Sequence, residues 1–183
     1  MIVNQRTIDL LKQFEGCKLT AYKDGGGVWT IGYGTTAAAG VGIEPHEGMK
    51  ITQEQAEVLL HKTIDKLAPA VASRITVPVT SNEFGACMLL SYNIGIGAFA
   101  ASTLLKYLNA GKKDLAAAEF RRWNHDNGKV VRGLTLRRAA EVELFLTPDM
   151  VVADMHVVAP AGGKTESIVS IAIRAITALF GGK

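Results

Sequence analysis

The sequence has little cysteine, little proline and few aromatic residues. Its 183 residues include 2 Cys, 5 Pro and 7% aromatic side chains. Two cysteines that form no CxxC pair exclude a disulfide scaffold and predict buried thiols. The 19 glycines follow no collagen period, and no repeat of roughly 20 to 50 residues is visible, which excludes a solenoid.

The excess of one charge over the other is also small: 20 Lys and Arg against 17 Asp and Glu give a net charge of +3. Residues 111–140 are the exception: eight basic and three acidic residues give them +5, against −2 for the remainder. No aromatic-interleaved module accompanies these basic residues, so we expect no nucleic-acid partner. The stretch is either a solvated helix face or a surface attracted to an anionic polymer.

Motifs for a metal or a nucleotide are missing. The four histidines are isolated, with no HExxH pattern and no cysteine at ligand spacing. Gly25, Gly26 and Gly27 precede no GxxxxGK[ST] sequence and no predicted helix. We therefore expect no metal and no other cofactor.

Hydrophobic periodicity predicts a mostly helical chain with one small sheet. A first helix covers residues 4–15, and two β-prone runs, 19–22 and 28–33, form a hairpin around a Gly-rich loop. Capping-box patterns predict two further helices, one starting at Thr52 and ending or kinking at Pro69, and one starting at Thr80. Three more helices are expected at 102–110, 114–123 and 134–146.

The chain divides into three parts. Residues 1–157 form the body, with a small β lobe at about 16–55, and residues 158–164 read as a linker. In residues 165–183, seven large apolar side chains surround a narrow polar stripe, which predicts an amphipathic helix. Three environments would bury its apolar face: a membrane that the helix spans, the body or a second copy, and a membrane interface. Spanning is disfavoured because about fifteen residues with Arg174 at their middle are shorter than the ~20 that a transmembrane helix needs.

Two carboxylates near the N-terminus occupy contrasting positions. Glu15 ends the first predicted helix, where unpaired carbonyls disfavour another negative charge, as suits a general acid. Asp24 lies in the Gly-rich loop, where water and backbone N–H groups can keep it ionised. Thr30 enters the second hairpin strand, where its hydroxyl could hold a water. Contrasting carboxylates are typical of glycoside hydrolysis.

The order of short motifs supports this interpretation. The sequence resembles the phage-type lysozymes, or endolysins, of glycoside hydrolase family 24, which have Glu, eight residues, Asp or Cys, five residues, then Thr. The resemblance covers about residues 1–147. Its motifs are Glu15-Gly16, Tyr22-Lys23-Asp24, Trp29-Thr30-Ile31-Gly32-Tyr33-Gly34-Thr35, Ile51-Thr52-Gln53-Glu54-Gln55-Ala56, Phe84, Tyr92-Asn93-Ile94-Gly95, Trp123, Gly133-Leu134 and Arg137-Arg138-Ala139-Ala140-Glu141.

The resemblance implies a two-lobed α+β fold with a small β-hairpin lobe, a long connecting helix and a helical lobe. It implies a muramidase that cleaves peptidoglycan. In the family's catalytic triad, Glu15 would be the general acid, Asp24 the base or electrostatic partner, and Thr30 the third member. Many relatives carry His where this sequence has Thr35, so an Arg from the far lobe is expected to support Glu15. Arg137 and Arg138 are both candidates.

Five residues are candidates for substrate binding: Trp29, Tyr33, Phe99, Arg137 and Arg138.

The protein is expected to be a monomer. No secretory signal is evident, so we expect it to accumulate in the host cytoplasm and to reach the periplasmic wall after membrane permeabilisation. Residues 165–181 could contact a membrane or lipopolysaccharide. The alternatives are a lytic transglycosylase and a non-catalytic wall-binding protein, although retention of Asp24 and Thr30 favours hydrolysis.

Overall fold

The computed structural model of the protein describes residues 2–149. The predicted body boundary at residue 157, the linker at 158–164 and the amphipathic helix within 165–183 lie outside the described residues. These three features therefore stay predictions.

Helices dominate the described residues, as expected. The α-helices are α1 (Gln5–Glu15), α2 (Gln53–Ala72), α3 (Ser81–Ile94), α4 (Ile96–Ala100), α5 (Thr103–Asn109), α6 (Lys113–Glu119) and α7 (Arg132–Leu146). The strands are β1 (Lys18–Lys23), β2 (Trp29–Gly32), β3 (Thr35–Thr36), β4 (His125–Asp126) and β5 (Lys129–Val130). Single 3₁₀ turns cover Ala37–Ala39 and Phe120–Arg122. The mostly helical α+β fold is confirmed.

Side-chain caps explain where the longer helices begin. Thr52 and Thr80 each accept a hydrogen bond from the backbone N–H three residues on, and the residue there bonds back to the cap. Both predicted capping boxes are confirmed. Helix α2 does not end at Pro69, because it continues to Ala72. A proline in the last turn removes one backbone donor, and at this exposed position water can satisfy the carbonyl left without it.

Two short elements escape the sequence patterns. Helix α4 begins directly after Gly95 and is not among the predicted helices. The hairpin of β4 and β5 turns at Asn127 and Gly128, both with positive φ. Each element is too short to show a hydrophobic period, although an Asn-Gly pair is a signal for such a turn.

The main sheet is antiparallel in the order β1-β2-β3. Thr30 of β2 lies opposite Tyr22 of β1 on one side and Thr36 of β3 on the other. Backbone bonds from Ala21 to Met49 (2.9 Å) and from Ile51 to Leu19 (2.9 Å) cover the outer edge of β1. Strand β1, which leads into the Gly-rich loop, is therefore hydrogen-bonded along both of its edges.

Two hydrophobic cores share helix α2. The larger core surrounds α3, whose residues from Asn82 to Ser91 are all buried. The smaller core contains Ile31, Val41 and Leu59. Because α2 contributes Leu59 to the small core and Leu60 to the large one, it connects a β-containing lobe to a helical lobe. Within residues 2–149, no helix has both the length and the apolar character needed to cross a membrane.

Candidate active site

Glu15 is held at the meeting point of three elements. It is the last residue of α1, and Gly16, with φ of 64°, caps that helix. Arg137 of α7 donates from Nη1 to Oε1 of Glu15 at 2.7 Å, and the Glu15 side chain is 18% exposed. A guanidinium at this distance offsets the repulsion between the carboxylate and the carbonyl end of the helix.

The second oxygen of Glu15 lies against a glycine. A Cβ placed on Gly34 would be 3.5 Å from Oε2 of Glu15, and Gly34 has φ of +83°. That backbone conformation favours glycine. The bend after β2 therefore passes directly beside the carboxylate without a side chain to cover it.

Asp24 lies exposed in the loop between β1 and β2. Its Oδ1 accepts hydrogen bonds from the backbone N–H groups of Gly26 at 2.9 Å and Val28 at 2.8 Å. Within residues 2–149 its Oδ2 accepts none. The loop thus holds the carboxylate in one orientation and leaves one oxygen available to a ligand or a water.

Tyr22 is half-buried on β1, and burial raises the pKa of its hydroxyl. The negative charges of Asp24 and Glu15 raise that pKa further. The phenol of Tyr22 therefore stays protonated near pH 7.

Thr30 is buried in the middle strand of the sheet. Its hydroxyl donates to the carbonyl oxygen of Val28 at 3.0 Å. With its proton used in this way, the oxygen can still accept a hydrogen bond from a water. The predicted water-holding role is therefore limited to acceptance.

Tyr33 and Trp29 differ in what they can offer a substrate. Tyr33 is buried, and its hydroxyl donates to Glu57 at 2.8 Å and accepts from Gln53 at 2.9 Å. Trp29 is half-buried, and the ammonium of Lys23 lies 5.3 Å from the centre of its ring. Trp29 has ring surface for a sugar, while the Tyr33 hydroxyl is committed to α2.

Two of the substrate-binding candidates are placed in the interior. Phe99 has no exposed surface and belongs to the large core. Arg138 is 1% exposed, and it donates to Glu141 at 2.6 Å and to Asn93 at 3.0 Å. The expectation of direct substrate contact is wrong for both, because burial in the helical lobe leaves no surface for a ligand.

The structure also distinguishes the two arginines beside Glu15. Arg137 reaches Glu15 directly, and its other nitrogens donate to Glu141 at 3.2 Å and to the Leu89 carbonyl at 3.2 Å. Arg138 donates to the same Oε1 of Glu141 at 2.6 Å and makes no hydrogen bond to Glu15 among the described residues. Arg137 is buried, so it supports Glu15 and has little surface for a substrate.

Glu141 is the residue that sequence reasoning missed. Glu141 lies four residues after Arg137 and three residues after Arg138, so all three side chains lie on one face of a helix. This spacing could have predicted the pairing.

A cleft of about 470 Å³ opens beside Gly34 and Tyr92. Two of its lining hydroxyls, those of Thr35 and Ser91, are buried and have no hydrogen-bond partner among the described residues. The residues that line the cleft include polar ones, such as Thr35 and Ser91, and apolar ones, such as Leu67 and Ile96.

Comparison with known proteins identifies the family. The family model for phage lysozyme matches residues 12–141. The chain belongs to the phage lysozyme family. The matched residues include the full candidate site: Glu15, Asp24, Thr30, Arg137 and Glu141.

Individual relatives agree with that assignment. An endolysin from Bacillus phage PZA is 44% identical over 147 residues, covering 79% of this chain and 55% of the relative. An endolysin from Bacillus phage B103 is 39% identical over 91% of this chain and 62% of its own length. The chain thus spans less than two thirds of these two relatives. The solved muramidase domain of SpmX from Asticaccaulis excentricus is 35% identical, with a TM-score of 0.73 over 80% of this chain and 99% of that domain.

Proposed function

We propose that this chain is an endolysin that hydrolyses the β-1,4 bond between N-acetylmuramic acid and N-acetylglucosamine in peptidoglycan and thereby serves host lysis. The observation that carries the proposal is the position of Glu15, paired with Arg137 at 2.7 Å and uncovered at Gly34. Membership of the phage lysozyme family and a relative titled a muramidase domain support it.

The proposed chemistry divides two roles between two carboxyl groups. Glu15 donates a proton to the glycosidic oxygen as the bond breaks. Asp24, through its Oδ2, activates a water or stabilises the positive charge that develops on the sugar. Thr30 accepts a hydrogen bond from that water. No part of this scheme requires a metal or another cofactor.

Exposed cations offer a means of attraction to the wall. Arg121, Arg122, Lys129 and Arg132 are all exposed, in the stretch that carries the local positive charge. Peptidoglycan is anionic, so a cationic face raises its local concentration at the enzyme.

We also propose that the protein acts as a monomer. It accumulates in the host cytoplasm and reaches the wall after the membrane is permeabilised.

Lysis of permeabilised cells tests the proposal. Wild-type protein added to chloroform-permeabilised Gram-negative cells should lower their turbidity. Glu15→Gln should fold normally and lose lytic activity by at least about 100-fold, because an amide cannot donate the proton that general acid catalysis needs. Wild-type-like lysis by a folded Glu15→Gln protein would refute the role of Glu15.

A further inference from the structure

Four charged side chains form a continuous chain through the helical lobe. Glu15 pairs with Arg137 at 2.7 Å, Arg137 with Glu141 at 3.2 Å, and Glu141 with Arg138 at 2.6 Å. The side chains of Arg137, Glu141 and Arg138 are 6%, 0% and 1% exposed. Two positive and two negative charges balance, so the cluster is neutral when both carboxyl groups are ionised.

Arg137 is fixed in three directions. Its Nη1 donates to Glu15, its Nε to Glu141, and its Nη2 to the backbone carbonyl of Leu89. A guanidinium is planar, so bonds from three nitrogens determine the orientation of the whole group. The same group therefore serves two carboxyl groups, one at the proposed site and one in the interior.

We propose that Glu141 is a positioning residue for the reaction: it holds Arg137 in place against Glu15 and takes up part of the guanidinium's charge. The two carboxyl groups share one guanidinium, so a change in the charge of Glu141 acts on Glu15 through Arg137. The inference rests on the proposed function, in which Glu15 must supply a proton.

Stability alone accounts poorly for this arrangement. Oε2 of Glu141 and Nε of Arg138 are buried and have no partner among the described residues. Burial raises the pKa of Glu141 to about 7, against the opposing effect of the two guanidinium groups. Replacing buried ion pairs by apolar residues often leaves stability unchanged or improves it, so a retained pair beside a site is better explained by the site.

The neighbouring titratable groups leave the carboxyl groups in control of the pH dependence. Helix α3 contributes Tyr92 and Cys87, and burial raises the pKa of both, so they stay neutral near pH 7. On the β lobe, Tyr22 also has a raised pKa, and Asp24 lies in the adjacent loop. On α7, burial lowers the pKa of Arg138, while the charge of Glu141 beside it raises that pKa.

Titration of Glu15 in Glu141→Gln tests the proposal. The amide preserves the shape of Glu141 and removes its negative charge. We expect the pKa of Glu15, followed through its ¹³C-labelled carboxyl group by NMR, to fall by about one unit. The alkaline limb of kcat/KM for murein hydrolysis should move down by the same amount. Glu141→Asp, which keeps the charge, should retain most of the wild-type profile.

Glu83→Gln provides the matched control. Glu83 is buried and paired with Lys113 at 2.8 Å, but it belongs to the start of α3 and does not contact Glu15 or Arg137. This variant should lose stability without moving the pH profile or the titration of Glu15. A Glu141→Gln protein that loses activity equally at every pH, with Glu15 titrating as in wild type, would show that Glu141 is only structural.

Two features keep the test decisive. Glu15 is titrated without substrate, so a wild-type protein that fails to cleave murein would refute the proposed function and leave the coupling measurable. If Glu141→Gln does not fold, the wild-type titration decides instead. Two coupled carboxyl groups should give Glu15 two inflections, one matching Glu141, whereas a single independent inflection overturns the proposal.

Discussion

At the scale of single residues, Glu15 has an environment built from opposing effects. The carbonyl end of α1 disfavours its negative charge, while Arg137 favours it at 2.7 Å. A hydrogen bond between charged groups contributes about 1.5–3 kcal/mol. A general acid must be able both to hold a proton and to release it. An arginine alone would favour only the charged form, whereas the end of α1 opposes that effect.

Asp24 leads to a prediction about stereochemistry. If Asp24 activates a water on the far face of the sugar, hydrolysis inverts the anomeric carbon, which requires carboxyl groups separated by about 6.5–9.5 Å. Fresh product analysed by NMR should therefore show the inverted anomer. A retained anomer would assign Asp24 another role, and a 1,6-anhydro end would identify a transglycosylase.

Asp149 leads to a prediction about pH and stability. Its carboxylate accepts hydrogen bonds from the backbone N–H groups of Ser81 at 2.7 Å and Asn82 at 3.0 Å at the start of α3. The bond from Ser81 is the largest cause of the lowered pKa of Asp149. Because the folded pKa is depressed, this stabilisation is present above the unfolded pKa and is lost as pH falls through the folded one.

Urea unfolding at pH 7 and pH 3 checks this expectation. Asp149→Asn should lower the free energy of unfolding by about 1 kcal/mol at pH 7, and the difference should shrink at pH 3. Asp65→Asn is the control, since Asp65 is exposed in α2 and makes no side-chain hydrogen bond within residues 2–149. An Asp149→Asn effect that is equal at both pH values would contradict the role of the charge.

At the scale of elements, the packing of α1 on α3 depends on one glycine. A Cβ on Gly85 would lie 2.0 Å from Oγ1 and 3.1 Å from Cβ of Thr7. Thr7 is buried, and its hydroxyl donates to the side chain of Asn4 at 2.8 Å. Thr7 therefore cannot move aside without disturbing the cap of α1.

Gly85→Ala should consequently destabilise the protein. We expect a loss of about 1–3 kcal/mol in the free energy of unfolding, because overpacking outweighs the better helix propensity of alanine. The matched control is Gly97→Ala in α4, where nothing lies within 4 Å of the added Cβ. That change should be neutral or slightly stabilising in the same chemical unfolding experiment. Equal effects of the two substitutions would contradict the proposed packing constraint.

At the scale of the whole molecule, two cores are joined through α2. Leu59 and Leu60, adjacent on that helix, face different cores. Glu15 from α1 and Gly34 from the bend after β2 lie next to each other, while Arg137 comes from α7. The candidate site is thus assembled from both lobes.

The amphipathic helix that the sequence predicts within residues 165–183 leads to the prediction at this scale. Deleting residues 160–183 should spare hydrolysis of isolated murein and weaken killing of intact Gram-negative cells and binding to anionic vesicles. The reason is that a wide apolar face next to cationic residues favours a membrane interface. Truncated protein that unfolds or loses murein hydrolysis, with no vesicle binding by the intact chain, would assign the segment to the core.

The sequence by itself determined the features that depend on neighbours within a few residues. These include the end of α1 at Glu15, the hairpin around Asp24 and the capping boxes at Thr52 and Thr80. Helix caps and hairpin turns are formed by groups close along the chain, so the residue types at those positions predict the cap or the turn. The catalytic roles of Glu15, Asp24 and Thr30 stay predictions, drawn from motif order and family resemblance.

Only the tertiary structure decided what depends on distant contacts. Arg137 and Arg138 are neighbours in sequence, but successive helical residues point about 100° apart, so only one of them can face Glu15. Phe99 is buried because α4 packs into the large core, although its segment is too short to carry a hydrophobic period. Glu141 finds Arg137 and Arg138 within its own helix, but the bond from Arg137 to Glu15 forms only when α7 packs against α1. Pairings across more than a hundred residues depend on how the helices pack, which no local pattern encodes.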